Sequence, residues 1–201
     1  MRRRRSPEIS KRRKPRSSIL LVTVIMTFAL VAPASANFGS SGTAGVGGTT
    51  NGVWLTNNNY FVVYKRSLSS TYAAGVDATI NNDYNTVTGF TALTLTRSSC
   101  IDAYADTCVY DSYYGDNGLN GWNSCWGSTS GSHPNQQCSV TWVRINQTYS
   151  PPATRIACHE IAHSTGLRHT NNSASCVKRT ADGGRSSVLS SHDRSHLRNE
   201  Y

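Results

Sequence analysis

The chain has 201 residues, with 20 Lys and Arg against 11 Asp and Glu, and a formal net charge of +9. Residues 1–36 carry 9 of these basic residues and 1 of the acidic ones, so residues 37–201 have 11 basic and 10 acidic residues, a net charge of +1. These 165 residues are enough for one domain with a real core, and they offer no basic patch for nucleic acid. We therefore expect no nucleic-acid partner.

The N-terminus has the three parts of a secretory signal peptide. A basic region runs from Arg2 to Arg16, an apolar run follows from Ile19 to Ala32, and Ala34-Ser35-Ala36 supplies small residues for cleavage. This order predicts a signal peptide at residues 1–36, a secreted, extracellular protein, and no stable membrane association after cleavage. The apolar run is short for a membrane span. The long basic region leaves an uncleaved anchor as the alternative.

The next two segments differ in composition. Residues 37–52 are rich in Gly, Ser and Thr and are predicted to be flexible, whereas residues 53–201 are predicted to form the folded domain. In that domain, a turn at Asn57–Asn59 precedes a first strand at Tyr60–Lys65.

A helix and a second strand are predicted after this strand. Ser69 or Ser70 is expected to cap the helix, whose apolar residues recur every four positions and should face the core. These residues are Tyr72, Val76, Ile80 and Tyr84. Gly89 closes the helical segment, and Phe90–Thr96 is predicted to be a strand.

The segment Cys100–Gly118 is acidic. Its carboxylates, Asp102, Asp106, Asp111 and Asp116, could ligate a calcium ion. The spacing is not that of an EF-hand, so we favour a solvated acidic loop with one strand at Thr107–Tyr113.

The following segment is rich in Gly, Asn and Ser. Trp122 and Trp126 flank Cys125 there, which favours an irregular loop tied by a disulfide, with the tryptophans packed under it. His133 is expected at the surface, and Val140–Asn146 is predicted to be another strand.

All six cysteines lie beyond the predicted signal peptide. They are Cys100, Cys108, Cys125, Cys138, Cys158 and Cys176. An even number in a secreted chain predicts three disulfides, although six cysteines allow fifteen pairings. Metal ligation by cysteine is the alternative, and no Cys-x-x-Cys supports it.

The stretch Ala157–Thr170, A-C-H-E-I-A-H-S-T-G-L-R-H-T, is the strongest motif. In a helix, which Pro151-Pro152 would start, His159 and His163 lie about 40° apart on one face and could hold one metal ion. Gly166 can end the helix and bring His169 back as a third ligand. Three protein ligands leave one position open, which is typical of catalytic zinc.

This ligand set has three alternatives. One is an amphipathic helix with surface histidines, and another is a purely structural zinc site, which would need a fourth ligand. A third is a different third ligand, either Asp182, 19 residues beyond His163, or Glu200, 37 residues beyond it. Glu160 projects about 100° from His159, beside the metal, so it is the predicted catalytic base.

At His159–His169 the chain resembles the metzincin metallopeptidases, whose signature is H-E-x-x-H-x-x-G-x-x-H. The segments Ser175–Val177 and Ser191–Arg194 are also similar to small secreted bacterial proteases related to matrixins and snapalysins. Snapalysins carry Asp as the third ligand, so His169 is closer to matrixins, some of which bind calcium. The resemblance implies a zincin-like α/β domain: about five strands in a mixed sheet, a helix in the N-terminal half, the motif helix and a C-terminal helix.

The resemblance also bears on the tail. Cys176-Val177 stands where metzincins place the methionine of the Met-turn, but the only methionines are Met1 and Met26, so Val177 is expected to form the apolar floor. In metzincins, the segment before the first ligand and the Met-turn segment lie together beneath the metal. The resemblance therefore implies a disulfide between Cys158, which precedes His159, and Cys176. Cys100–Cys108 and Cys125–Cys138 are then expected as local loops.

The last predicted element is a helix capped by Ser190 or Ser191. It carries Leu197 and Tyr201, and Asp193 favours its positive N-terminal end. His192 and His196 are expected to be structural rather than ligands.

The predicted function is that of a secreted zinc endopeptidase, a monomer acting on protein or peptide substrates. One zinc ion would be held by His159, His163 and His169, with Glu160 taking a proton from water and passing it to the leaving amine. The alternative is a secreted zinc-bound adhesion or binding module without proteolytic activity. The retention of Glu160 argues against that alternative, because a passive zinc site needs no base.

Overall fold

A computed structural model describes residues 53–100, 104–131, 136–181 and 183–201 of the chain. The predicted signal peptide at 1–36, the predicted flexible segment at 37–52, and Asp102, His133 and Asp182 lie outside these ranges. The described residues all belong to one compact unit.

The main sheet has five strands, and its neighbours are not in chain order. The bounds are β1 Tyr60–Arg66, β2 Thr91–Arg97, β3 Thr107–Ser112, β4 Gly121–Cys125 and β7 Thr141–Asn146, with a short hairpin of β5 Thr129–Ser130 and β6 Gln137–Cys138. The order is β2-β1-β3-β7-β4. The first four strands are parallel, and β4 runs antiparallel to β7 in the register Asn123↔Val143.

The helices follow the predicted order. They are α1 Ser70–Thr79, continued by a π-helical turn at Ile80–Tyr84, then α2 Ala153–His163 and α3 Ser191–Glu200, with a short 3₁₀ turn at Gln147–Tyr149 before α2. Within the described ranges, the protein is therefore mixed α/β, with a five-stranded mixed sheet and three α-helices, as predicted at this level. In the same ranges, no helix has the length and apolar character needed to cross a bilayer.

The main core lies between the sheet and the helices α1 and α2. Strand side chains that alternate on one face, such as Phe61, Val63 and Val143, pack there against the helices. The predicted stripe of α1 is confirmed as core, since Tyr72, Val76, Ile80 and Tyr84 are all buried. A smaller cluster around Tyr64 and Cys108 packs on the opposite face.

The stripe departs from a regular α-helix at its end. Asn85 N–H donates to the carbonyl of Ile80, five residues back, so the last turn is wider than an α-helical turn. In an α-helix, residues four apart drift by about 40°. The wider turn keeps the four-residue stripe aimed at the core.

The segment around Trp122 is a strand, and the predicted irregular loop was wrong. Gly121–Cys125 is strand β4, with Cys125 joined to Cys138. Gly, Asn and Ser have low strand propensity, so the sequence indicated a loop, whereas pairing with β7 decides the conformation. Trp122 packs edge-on against Tyr114, whereas Trp126 stacks on Trp142 and is 48% exposed, so the expectation that it is packed under a loop was wrong.

Helix α3 is fixed at both ends. Ser190 is its N-cap, and Ser190 and Asp193 form a reciprocal capping box. Arg194 makes a 2.7 Å ion pair with the buried Asp83 of the π-helical turn. At the other end, Tyr201 OH donates to the carbonyl of Thr165, in the turn that follows α2.

Candidate metal centre

Three histidines converge at the C-terminal end of α2. The helix places His159 and His163 one turn apart, and it ends at His163. Gly166, at φ 87°, adopts the left-handed conformation that the predicted turn requires. Leu167 N–H donates to the carbonyl of Ala162, which folds the chain back and returns His169 to the other two rings.

Hydrogen bonds fix the tautomers of two of the rings. His159 Nδ1 donates to the carbonyl of Cys176 at 2.8 Å, and His163 Nδ1 donates to the carbonyl of Leu167 at 2.7 Å. A neutral imidazole with a proton on Nδ1 presents the lone pair of Nε2. Burial lowers the pKa of His163 to about 4 and lowers the pKa of His159 well below its ordinary value, so both rings are neutral at pH 7.

The donor set fits a small tetrahedral metal ion. One nitrogen from each histidine lies within 4.8 Å of the others, and the Nε2 atoms of His159 and His169 are 3.1 Å apart. Two ligand nitrogens on a tetrahedral zinc ion are separated by about 3.3 Å. His163 Nε2 is buried and has no hydrogen-bond partner, which is costly for a ring nitrogen unless it binds an ion.

Glu160 lies beside this group and is buried from solvent. Its side chain is 4% exposed, and burial raises the pKa of its carboxyl to about 8. Room for it is provided by Gly121 of β4, where an added Cβ would lie 3.0 Å from Glu160 Oε1 and 2.9 Å from the carbonyl oxygen of Arg144. Any side chain at position 121 would therefore displace the carboxyl or the strand.

The floor of the site is built by the segment around Cys176. A disulfide joins Cys158, the residue before the first ligand, to Cys176. The carbonyl of Cys176 accepts the hydrogen bond from His159 Nδ1. Val177 is fully buried in the main core, and its expected role as an apolar floor under the histidines stays a prediction.

The cysteines form three disulfides, which is the predicted number. The pairs are Cys100–Cys108, Cys125–Cys138 and Cys158–Cys176, the same pairs that the sequence analysis named. Disulfides persist in oxidising compartments, so this number suggests an extracellular setting.

A cleft of about 340 Å³ opens beside the histidines. It is lined by the segment Gly118–Gly121 that leads into β4, and by Arg155, Ile156, His159 and Glu160 of α2. No described strand pairs with the outer edge of β4. Asn120 accepts from Asn146 N–H across the sheet, so alternation leaves the main-chain groups of Gly121 and Asn123 directed to that outer edge.

The other candidate residues lie elsewhere. Glu200, the alternative third ligand, is exposed on α3 and is not in the group formed by the three histidines. His192 and His196 of α3 form a separate pair, with their Nε2 atoms 3.1 Å apart. Asp182, the second alternative, is outside the described residues.

The described aspartates of the acidic segment do not gather around one point. Asp106 accepts from Val62 N–H, Asp111 accepts from the N–H and hydroxyl of Ser69, and Asp116 accepts from the hydroxyl of Tyr149. Within the described ranges, the histidine group is the one cluster of three or more metal-ligating side chains. The calcium hypothesis therefore gains no support from these residues.

Two residues of the site were missed by the sequence analysis. Arg155 precedes His159 by four positions, so helical spacing alone could have placed both on one face. Gly121 could not have been found in this way, because it meets Glu160 only through the tertiary fold.

No family model matches the chain, and no curated protein matches it significantly.

Proposed function

We propose that this protein is a secreted zinc-dependent endopeptidase of metzincin type. The observation that carries the proposal is the convergence of three imidazoles with a buried carboxyl at the side of a cleft. His159, His163 and His169 would hold the ion, and imidazole ligands suit zinc. When bound, zinc supplies Lewis acidity for a peptide carbonyl and acidifies water.

Glu160 is assigned the role of general base. It is adjacent to a ligand in sequence and lies in the cleft, yet it is not a member of the histidine group. Burial raises the pKa of its carboxyl to about 8, close to neutral pH, where a group that accepts and returns a proton at Oε is most effective; the positive charge of a bound metal ion would lower this pKa and favour the carboxylate. It would take this proton from water and deliver it to the leaving amine.

The outer edge of β4 supports an extended peptide as the substrate. A strand edge with unpaired main-chain groups binds extended peptides through strand addition. This edge begins at Gly121, next to the Glu160 carboxyl, so a peptide added to it would pass the site. A cleft that is open at the side also admits an internal segment of a longer chain, which favours endopeptidase activity.

The test uses casein and the protein lacking residues 1–36. We expect cleavage that a chelator abolishes and that added zinc restores, with one zinc ion per chain by metal analysis. A protein that binds one zinc ion but cleaves neither casein nor unfolded proteins would instead be a non-proteolytic binding module. Cleavage that persists after complete metal removal would disprove the proposed mechanism.

A further inference from the structure

Arg155 lies on the same face of α2 as the metal-binding histidines. It precedes His159 by one helical turn and His163 by two, and it lines the same cleft as His159 and Glu160. Arg155 therefore lines the same cleft as the proposed catalytic groups, one helical turn before the first ligand.

The charge of Arg155 has no counter-ion within the described ranges. Its Nη1 donates to the hydroxyl of Thr180 at 2.7 Å, and its Nη2 donates to the carbonyl of Lys178 at 3.3 Å. Its Nε is buried and has no hydrogen-bond partner. Both partner groups are neutral, and no carboxylate of the described residues forms an ion pair with this half-buried cation, which is an unfavourable arrangement in a protein interior.

The rest of the described cleft lining offers Arg155 little negative charge. Glu160 is the one carboxyl among the described lining residues. The bonds to Thr180 and Lys178 hold the guanidinium in place, so little side-chain entropy would be lost when it binds an anion.

We propose that Arg155 forms a carboxylate-binding subsite, so that the enzyme selects peptides with a carboxylate next to the scissile bond. The inference rests on the proposed peptidase function and names its substrate class. The carboxylate has two sources: an Asp or Glu side chain, which agrees with an endopeptidase, or the free C-terminus of the substrate, whose selection would make the activity that of a carboxypeptidase. A guanidinium binds either through charge-assisted hydrogen bonds.

The experiment compares matched peptides cleaved by the zinc-loaded protein. For each of the two positions that flank the scissile bond, we compare a pair of C-terminally amidated peptides. The two peptides of a pair differ only in having Glu or Gln at that position. A further pair has neutral residues there and ends in a free or an amidated C-terminus. We expect kcat/KM to be roughly tenfold to a hundredfold higher for the peptide that offers the carboxylate. The favoured pair identifies its source.

Three variants assign the preference to the residue. In Arg155→Gln the ratio should fall to near one, and Arg155→Lys, which keeps the charge, should retain part of it. Arg198→Gln removes an exposed arginine of α3 that does not line the cleft, and it should keep the wild-type ratio. Metal content and circular dichroism check that each variant folds. If Arg155→Gln does not fold, the ratio measured for Arg155→Lys provides the test.

The outcomes separate the two proposals. A wild-type protein that cleaves peptides with no preference for a carboxylate overturns this inference and leaves the peptidase function standing. An unchanged preference in the Arg155 variants also overturns it. A wild-type protein that cleaves none of the peptides and no casein removes the peptidase function, and this inference fails with it.

Discussion

Glu160 illustrates how the setting of one residue is made by another that has no side chain. Glu160 is 4% exposed, and this burial raises the pKa of its carboxyl. The carboxyl occupies space that Gly121 leaves open on the facing strand. Because the group lies beside the histidines but is not one of the converging ligands, its proposed contribution is to proton transfer and not to metal binding.

The first prediction follows from this separation of roles. Glu160→Gln keeps the shape of the side chain and removes the base, so the zinc content and the unfolding temperature should stay close to those of the wild type. The rate of peptide cleavage should fall about a hundredfold to ten-thousandfold. Zinc content by metal analysis and cleavage of a fluorogenic peptide measure the two quantities on the same sample.

His159→Ala is the contrasting variant, because it should lose both zinc and cleavage. A Glu160→Gln protein that cleaves at nearly the wild-type rate would falsify the assignment of the base. Loss of zinc in Glu160→Gln would show instead that the carboxyl helps to hold the metal or the fold.

At the scale of elements, the site depends on the junction between α2 and the segment that follows the turn. The carbonyl of Cys176 orients His159, and the disulfide from Cys158 ties this carbonyl to the helix that carries the ligand. Asp83 of the π-helical turn accepts from Leu189 N–H and pairs with Arg194, which anchors the same C-terminal segment to the core.

The second prediction concerns the disulfide at this junction. Replacing Cys158 and Cys176 together by Ala opens a loop of 18 residues and should lower the free energy of unfolding by about 3 kcal/mol. Zinc affinity should fall by about tenfold to a hundredfold, because the carbonyl that orients His159 loses its tether. Urea unfolding and competition with a zinc chelator measure the two effects.

The double variant Cys100→Ala with Cys108→Ala is the matched control. This bridge lies in the smaller cluster on the opposite face of the sheet, so its loss should reduce stability without changing zinc affinity. Equal loss of zinc affinity in both double variants would show that only global stability matters to the site.

For the whole molecule, a buried carboxyl couples folding to pH. Asp106 precedes β3, and its carboxylate accepts from Val62 N–H of β1 at 2.7 Å. Burial nevertheless raises the pKa of Asp106 from 3.8 to about 6, an effect larger than that of its hydrogen bonds. The folded state therefore holds this proton at a pH at which the unfolded chain has released it.

The third prediction takes its sign from this shift. Between about pH 4 and pH 6 the folded protein binds the Asp106 proton and the unfolded chain does not, so the contribution of Asp106 to stability decreases as the pH rises. The decrease should be roughly 2–3 kcal/mol. Asp106→Asn keeps an acceptor for Val62 and removes the titration, so its stability relative to the wild type should increase over this range.

Urea unfolding of both proteins at pH 4, 5, 6 and 7 gives the comparison. At each pH, the free energy of unfolding of the wild type is subtracted from that of Asp106→Asn. This subtraction removes the contribution of the carboxyls that the two proteins share. A difference that is constant from pH 4 to pH 7 would contradict the prediction, and so would one that moves in the opposite direction.

The sequence by itself determined the features that local geometry encodes. Helical spacing placed His159 and His163 on one face, Gly166 provided the turn, and the four-residue stripe from Tyr72 to Tyr84 marked a core-facing helix. These predictions succeeded because each depends on the chain within a few residues of itself, where periodicity and backbone freedom act directly.

The tertiary structure alone decided the contacts between distant parts of the chain. Strand β4 forms by pairing with β7 although its residues disfavour strands, and this pairing brings Gly121 to Glu160. Arg155 lines the cleft and donates to the main-chain carbonyl of Lys178 and the hydroxyl of Thr180, which are 23 and 25 residues further along the chain. No local pattern encodes such contacts, because they arise only when the core has packed and separate elements have met.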